Sequence, residues 1–180
     1  MEPLVLEAGA LRLRPFRSED IDWVHRVSLD PQVQRFIDLP SPCRRTDAAD
    51  FVERLAVDGW RNGTRAEFLV GSARESWRRL GRVGLHLRGD GTGEIGYWTD
   101  PSARGRGVTT AAVVAVCRWA FDIRDLALVE WRAQVGNEAS RRVAEKVGFS
   151  MEGVLRQRLV HRGCRVDAWV GSLLPGEIRE

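Results

Sequence analysis

Between Glu94 and Ala112 the chain reads EIGYWTDPSARGRGVTTAA, a short strand pattern that breaks into a glycine-punctuated basic loop and opens directly into a helix. The run Arg104-Gly105-Arg106-Gly107-Val108-Thr109 would present backbone N–H groups at a helix N-terminus. There the orphan donors and the positive end of the helix dipole favour a phosphate or pyrophosphate. Gly105 and Gly107 let the backbone approach such a ligand closely. The residues therefore point to a phosphate-bearing ligand. A glycine-rich loop alone also serves many nucleotides and many ordinary turns, so its neighbours decide its meaning.

The elements that must hold this loop follow from periodicity. Leu11-Arg12-Leu13-Arg14 alternates as a half-buried strand that Pro15 closes. Ser18 is placed to cap a helix carrying Ile21, Val24 and Val27, with Asp30-Pro31 as its stop. A second helix starts at Thr46, whose hydroxyl can cap it, and carries Phe51, Val52, Leu55 and Ala56 on one face until Gly59 and Gly63 release the chain. Strands are expected over residues 67–72, 80–87 and 94–99, the last two joined by a turn at 89–93. After the loop come a helix over 109–122, a strand over 128–135, and a helix over 137–147 that Gly148 ends. A hairpin with arms 151–159 and 164–173 turns through His161-Arg162-Gly163. The order β-α-α-β-β-β-α-β-α-β-β predicts an α/β fold, with residues 1–180 forming one domain around a mixed sheet flanked by helices.

Composition narrows the function classes. The 180 residues, 43% hydrophobic and 29% charged, suit one globular domain, and the net charge of +3 is a mild bias toward anionic ligands. No basic stripe interleaved with aromatics appears, so no nucleic-acid partner is expected. No apolar stretch approaches the roughly 18–20 residues that span a bilayer, and the start MEPLVLEAG lacks the pattern of a signal peptide. Cys43, Cys117 and Cys164 offer neither a disulfide framework nor zinc spacing. The expectation is a cytoplasmic protein with no metal and no membrane partner.

Four features combine into a resemblance: the element order, the loop Arg104-Gly105-Arg106-Gly107 after a Glu-Ile-Gly-Tyr-Trp strand, the later Asn137-Glu138-Ala139-Ser140, and Val147-Gly148-Phe149 followed by Glu152-Gly153. Together they resemble the GCN5-related N-acetyltransferases (GNAT), and within them the RimJ/RimL-type ribosomal-protein N-terminal acetyltransferases. The match is strongest over 94–155 and spans most of the chain. It implies the GNAT fold, in which a mixed, largely antiparallel central sheet contains a splayed strand pair. It also implies acetyl-CoA as co-substrate, without a metal, and direct attack of a primary amine on the thioester in a ternary complex.

The resemblance carries over onto particular residues. Arg104, Gly105, Arg106, Gly107, Val108 and Thr109 would wrap the pyrophosphate, and the strand edge at Tyr97, Trp98 and Thr99 would pair with the pantetheine amides. A backbone N–H near Trp98 would face the thioester oxygen. Asn137 would contact pantetheine or cap its helix, and Ser140, also at the cofactor, would donate to the leaving thiolate. An alkyl ammonium must lose a proton before it attacks, and Glu94 is the first candidate base, with His161 the second.

Two positions depart from the family pattern. Thr109 stands where Gly or Ala is usual, and its hydroxyl either crowds the pyrophosphate or donates to it; Leu159 stands where RimL-like chains carry a glutamate. The acceptor, a protein N-terminus or a small-molecule amine, is open. One or two of Trp23, Phe36, Trp60, Trp77, Trp98, Trp131 and Trp169 could line its pocket, and Asp38, Glu67 and Asp167 could attract its charge. Monomer and homodimer are both compatible with an edge strand in the terminal hairpin. A catalytically silent acyl-CoA-binding sensor is the alternative function.

Overall fold

In the computed structural model, which describes residues 1–73 and 77–179, eight strands form one sheet. They are β1 (Leu6–Ala8), β2 (Leu11–Pro15), β3 (Arg65–Ser72), β4 (Arg79–Leu87), β5 (Thr92–Thr99), β6 (Leu128–Gln134), β7 (Ser150–His161) and β8 (Cys164–Leu173), in the order β1-β2-β3-β4-β5-β6-β8-β7. Neighbours are antiparallel except β5 and β6. That parallel pair is joined by the crossover helix α5 (Val108–Asp122), the long connection such a pair requires.

The parallel pair is short. β5 and β6 are in register from Thr92 opposite Leu128 to Ile95 opposite Trp131. Beyond that row β5 stays with β4, Trp98 opposite Arg82 and Thr99 opposite Gly81, while β6 stays with β8, Arg132 opposite Val170 and Gln134 opposite Ala168. The two strands thus part at their C-terminal ends and leave backbone groups of residues 96–99 facing the gap.

Alternation along the strands sorts the core into two layers. Val83, Leu85, Ile95 and Trp131 pack with Val113, Val116 and Ala120 of α5 and with Val147 of α6 (Glu138–Val147). Burying one Val or Ile of this kind contributes about 1.5–3 kcal/mol. On the other face lie α1 (Ile21–Ser28), α2 (Pro31–Phe36) and a helical run made of α3 (Arg45–Ala49), a π-helical segment Asp50–Leu55 and α4 (Ala56–Asn62). Ile21, Val24, Val27, Val33, Ala48 and Val52 from these elements cluster over Leu69 of β3. Buried Asp20 ties the turn before α1 to the sheet, because Arg14 and Arg79 both donate to it at 2.7 Å.

Several local expectations change. Asp30-Pro31 opens α2 rather than ending the chain's helical stretch: Asp30 accepts from the N–H groups of Gln32 and Val33, and Pro31 occupies the first helical position, where a missing N–H is harmless. Thr46 is not a cap; α3 starts one residue earlier, with the Asp47 carboxylate accepting from Arg44 N. Gly59 lies inside α4 and only Gly63, at φ +69°, ends it. Thr92 and Gly93 belong to β5, and the three-residue β1, turned through Gly9, was too short to show a period. The terminal hairpin turns tightly at Arg162 and Gly163, both at positive φ, as a two-residue hairpin loop prefers.

Candidate active site

A cleft of about 490 Å³ opens where β5 and β6 part, and two Asp-Pro pairs build its walls. Asp100 ends β5 and starts a 3-10 turn, Pro101–Ala103. Its carboxylate, 2% exposed, accepts from Ser102 N at 2.9 Å, Ser102 Oγ at 2.7 Å, Trp23 Nε1 at 2.9 Å and Arg26 Nη2 at 2.7 Å. Burial alone would raise its pKa, but these donors win and hold it at about 2. Asp30 does the same for α2. It caps that helix and accepts from Arg104 Nη2 at 2.6 Å, and against the desolvation of the site this arginine and the capping N–H groups keep its carboxyl below the usual range.

Between these anchors the loop turns into α5. Gly105 and Gly107 adopt φ +71° and +74°, and a Cβ on either would meet nothing within 4 Å, so the backbone here is open to a ligand. The first intrahelical bond of α5 runs from Ala111 N to Gly107 O. The N–H groups of Val108, Thr109 and Thr110 precede it, as the orphan donors of a helix start do, and all three residues line the cleft. The Thr109 hydroxyl shares a short hydrogen bond with the Thr99 hydroxyl across the loop, and both residues line the cleft.

The opposite wall is the start of α6. Asn137 caps it, Oδ1 accepting from Ser140 N at 3.2 Å. Ser140 O accepts from the Tyr97 hydroxyl at 2.8 Å, and Ser140 Oγ accepts from Trp131 Nε1 at 3.0 Å. Burial pushes the Tyr97 phenol well above its ordinary value, so it acts here as a fixed hydrogen-bond donor. Tyr97, Trp98, Thr99, Arg104, Gly105, Gly107, Val108, Thr109, Asn137 and Ser140 therefore share one cleft. Arg106 is exposed beside it and is not part of its lining.

Glu94 stands apart from that lining. It sits at the last paired rows of β5 and β6, and by alternation its side chain lies on the sheet face opposite Tyr97 and Thr99. Its Oε2 accepts from Arg88 Nη2 at 2.6 Å and lies 3.6 Å from Arg132 Nη1; both arginines also pair with Glu130. His161 is at the hairpin tip, its Nδ1 buried without a hydrogen-bond partner among the described residues.

The three acidic residues expected at an acceptor groove are all engaged elsewhere. Glu67 is 1% exposed and holds both Arg82 donors at 2.7 Å; despite its burial, Arg82 and His86 keep it near pKa 2. Asp38 accepts from Arg162 N, and Asp167 from Gln157 N. Of the aromatics considered, Phe36 and Trp98 line the cleft, Trp98 lying 5.1 Å from Trp23. Sequence reasoning missed α2, whose Gln32, Val33 and Phe36 form a wall, and the anchor Asp100; it named Trp131 for the acceptor pocket, whereas Trp131 donates to Ser140 behind the cleft lining. The signal was available for two of these: Asp-Pro is a helix-opening pair, N-cap followed by Pro at the first position.

Residues 10–150 match the family model of the acetyltransferase (GNAT) domain. The chain is a GNAT acetyltransferase. It is 33% identical over 138 residues to a protein of Bacillus subtilis (strain 168) named as a ribosomal N-acetyltransferase, YdaF, covering 72% of this chain and 73% of that one. A ribosomal-protein-serine acetyltransferase of Escherichia coli (strain K12) is 36% identical over 66 residues, 37% of each chain. Among solved structures, Mycobacterium smegmatis RimJ in complex with CoA-disulfide superposes with a TM-score of 0.83 at 25% identity, covering 99% of this chain and 88% of that one. The sheet of this GNAT acetyltransferase, mixed and mostly antiparallel with helices on both faces, is the GNAT fold. Among the described residues no helix is long and apolar enough to cross a membrane, and no group of three or more His, Cys, Asp or Glu could hold a metal ion.

Proposed function

We propose that this GNAT acetyltransferase moves an acetyl group from acetyl-CoA to the N-terminal amine of a protein, by direct attack in a ternary complex. The observation that carries the donor half is the joining of a helix N-terminus, a free strand edge and a serine hydroxyl in one cleft. The N–H groups of Val108, Thr109 and Thr110, with Gly105 and Gly107 giving close approach, suit the pyrophosphate. Arg104 and Arg106 add charge at the rim. The edge of residues 97–99 and Asn137 suit the pantetheine amides, and an N–H near Trp98 suits the charge that develops on the thioester oxygen.

For the acceptor half, relatives named for ribosomal proteins support a protein N-terminus. Glu94 is our candidate for the group that takes the amine proton; since it lies outside the cleft lining, the proton reaches it through water. Ser140 donates to the leaving thiolate. We take residues 1–180 to act as one domain. We place the reaction in the cytoplasm, which suits the unpaired Cys43, Cys117 and Cys164.

Acetyl-CoA consumption over Ser-, Ala- and Met-initiated peptides, polyamines and aminoglycosides tests this reading. Turnover of peptides is expected; tight CoA binding with no turnover across the panel would make the protein an acyl-CoA sensor, and turnover of the small amines alone would reassign the acceptor. Glu94→Gln should lower kcat and alter its pH dependence with CoA affinity within about twofold of wild type. An unchanged pH–rate profile removes Glu94 as the base.

A further inference from the structure

We propose that Trp131 is a positioning residue that commits the Ser140 proton to the cleft. The inference rests on the reading of Ser140 as donor to the leaving thiolate and adds the group that makes it one. Trp131 belongs to β6, is 1% exposed, and places its indole Nε1 3.0 Å from Ser140 Oγ. An indole N–H can only donate, whereas a hydroxyl has one proton and two lone pairs. Trp131 therefore occupies a lone pair of Ser140, and the serine proton must point elsewhere.

Few other places accept that proton. A serine inside a helix commonly gives its proton to the carbonyl four residues back. Ser140 is the third residue of α6, so the carbonyl of residue 136 lies outside the helix, and the carbonyl of Asn137, three residues back, already accepts from Arg141 N at 3.1 Å. The remaining direction is the cleft that Ser140 lines. Its backbone is held as well, by Asn137 Oδ1 at the N–H and by the Tyr97 hydroxyl at the carbonyl. Tyr97 lies on β5 and Trp131 on β6, so each arm of the parted strand pair grips the same residue, one by its carbonyl and one by its side-chain oxygen.

In the transfer step the amine nitrogen bonds to the acetyl carbon and the carbon–sulfur bond breaks with its electron pair on sulfur. The amine proton leaves with the base. The Ser140 hydroxyl donates a hydrogen bond to the sulfur anion and keeps its proton, so its orientation before the bond breaks is what Trp131 contributes. Without the indole N–H the hydroxyl rotates freely and spends part of its time turned away.

The test is a double-mutant cycle in kcat with acetyl-CoA and the preferred peptide acceptor, using Ser140→Ala, Trp131→Phe and the pair. Ser140→Ala is expected to lower kcat about 100-fold, in the range for removal of one donor to a developing anion. Trp131→Phe should lower it about 10-fold with KM for acetyl-CoA within about threefold, and should have no further effect in the Ser140→Ala background. Tyr97→Phe, which removes the hydroxyl that donates to Ser140 O, should lose several-fold in kcat and show the same silence behind Ser140→Ala. If Trp131→Phe does not fold, replacement of Trp131 by benzothienylalanine, which keeps the ring shape and lacks the N–H, takes its place with the same expected loss. If Ser140→Ala retains wild-type kcat, the thiolate-donor reading fails and this inference with it. If Ser140→Ala is slow but Trp131→Phe is at wild-type rate, or is equally damaging with and without Ser140, the positioning role alone is overturned.

Discussion

Replacing Asp100 by Asn should destabilise the protein in a way that depends on pH. The carboxylate is buried and accepts from Trp23, Arg26 and both donors of Ser102, which together bring its pKa from an ordinary 3.8 to about 2. A difference of nearly two units corresponds to about 2.4 kcal/mol. Because the folded pKa is the lower one, this stability is fully present above pH 3.8 and is lost as pH falls through about 2. At pH 3 roughly 1.3 kcal/mol of it should remain. Urea unfolding followed by tryptophan fluorescence would measure the gap between wild type and Asp100→Asn, about 2.4 kcal/mol or more at pH 7 and roughly 1 kcal/mol smaller at pH 3. At neutral pH the melting temperature should drop by about 5–10 °C. A gap that stays constant from pH 6 to pH 3 would refute the ionic account of this anchor.

Two further outcomes follow from buried geometry. Arg82→Ala leaves Glu67, 1% exposed, with only the His86 imidazole 3.8 Å away and should cost about 3–5 kcal/mol by urea denaturation, whereas Glu67→Leu with Arg82→Met should recover most of that loss. Gly107→Ala has room for its methyl but must hold φ near +74°, a strain of about 1–2 kcal/mol. Calorimetry should then find CoA bound roughly tenfold more weakly, since the strain falls on the backbone that would carry the phosphates; unchanged affinity would remove Gly107 from the cradle.

What sequence could show tracks how local the cause is. α5 is legible from its apolar stripe, and α6 from its Asn137 cap and Gly148 stop, signals that lie in or beside the segment each defines. The loop at Arg104–Thr109 is legible for the same reason. Asp30-Pro31 misleads because one dipeptide follows the end of α1 and also caps α2; the capping pattern is visible in the sequence, and the packing of Val33 with the α1 side chains completes it. Glu67 reads as a candidate for the acceptor's charge until the β3–β4 register sets it opposite Gly84, two residues along β4 from Arg82, whose guanidinium reaches diagonally across to it. The grip of Trp131 on Ser140 joins a strand to a helix start, and no spacing rule links the two. The hydrogen bond between the Thr109 and Thr99 hydroxyls is equally invisible in the sequence, since it joins a strand end to the start of α5.

The six-residue α2 has a consequence for the timing of access to the cleft. A helix this short does not persist by itself in water. Only Val33 is buried, so its order depends on bonds at its two ends: Arg104 and the cap at Asp30 on one side, and the hairpin tip, where Arg162 donates to Gln34 O and to Asp38, on the other. Exposed polar ties of this kind contribute about 0–1 kcal/mol each. The wall made by Gln32, Val33 and Phe36 is therefore held by fewer buried contacts than the opposite wall, which rests on buried residues of the sheet. Amide hydrogen exchange is accordingly expected to be faster in α2 than in α6, and because α2 touches the donor loop at one end and the terminal hairpin at the other, a ligand that orders either end would lower the entropy left for the second to remove.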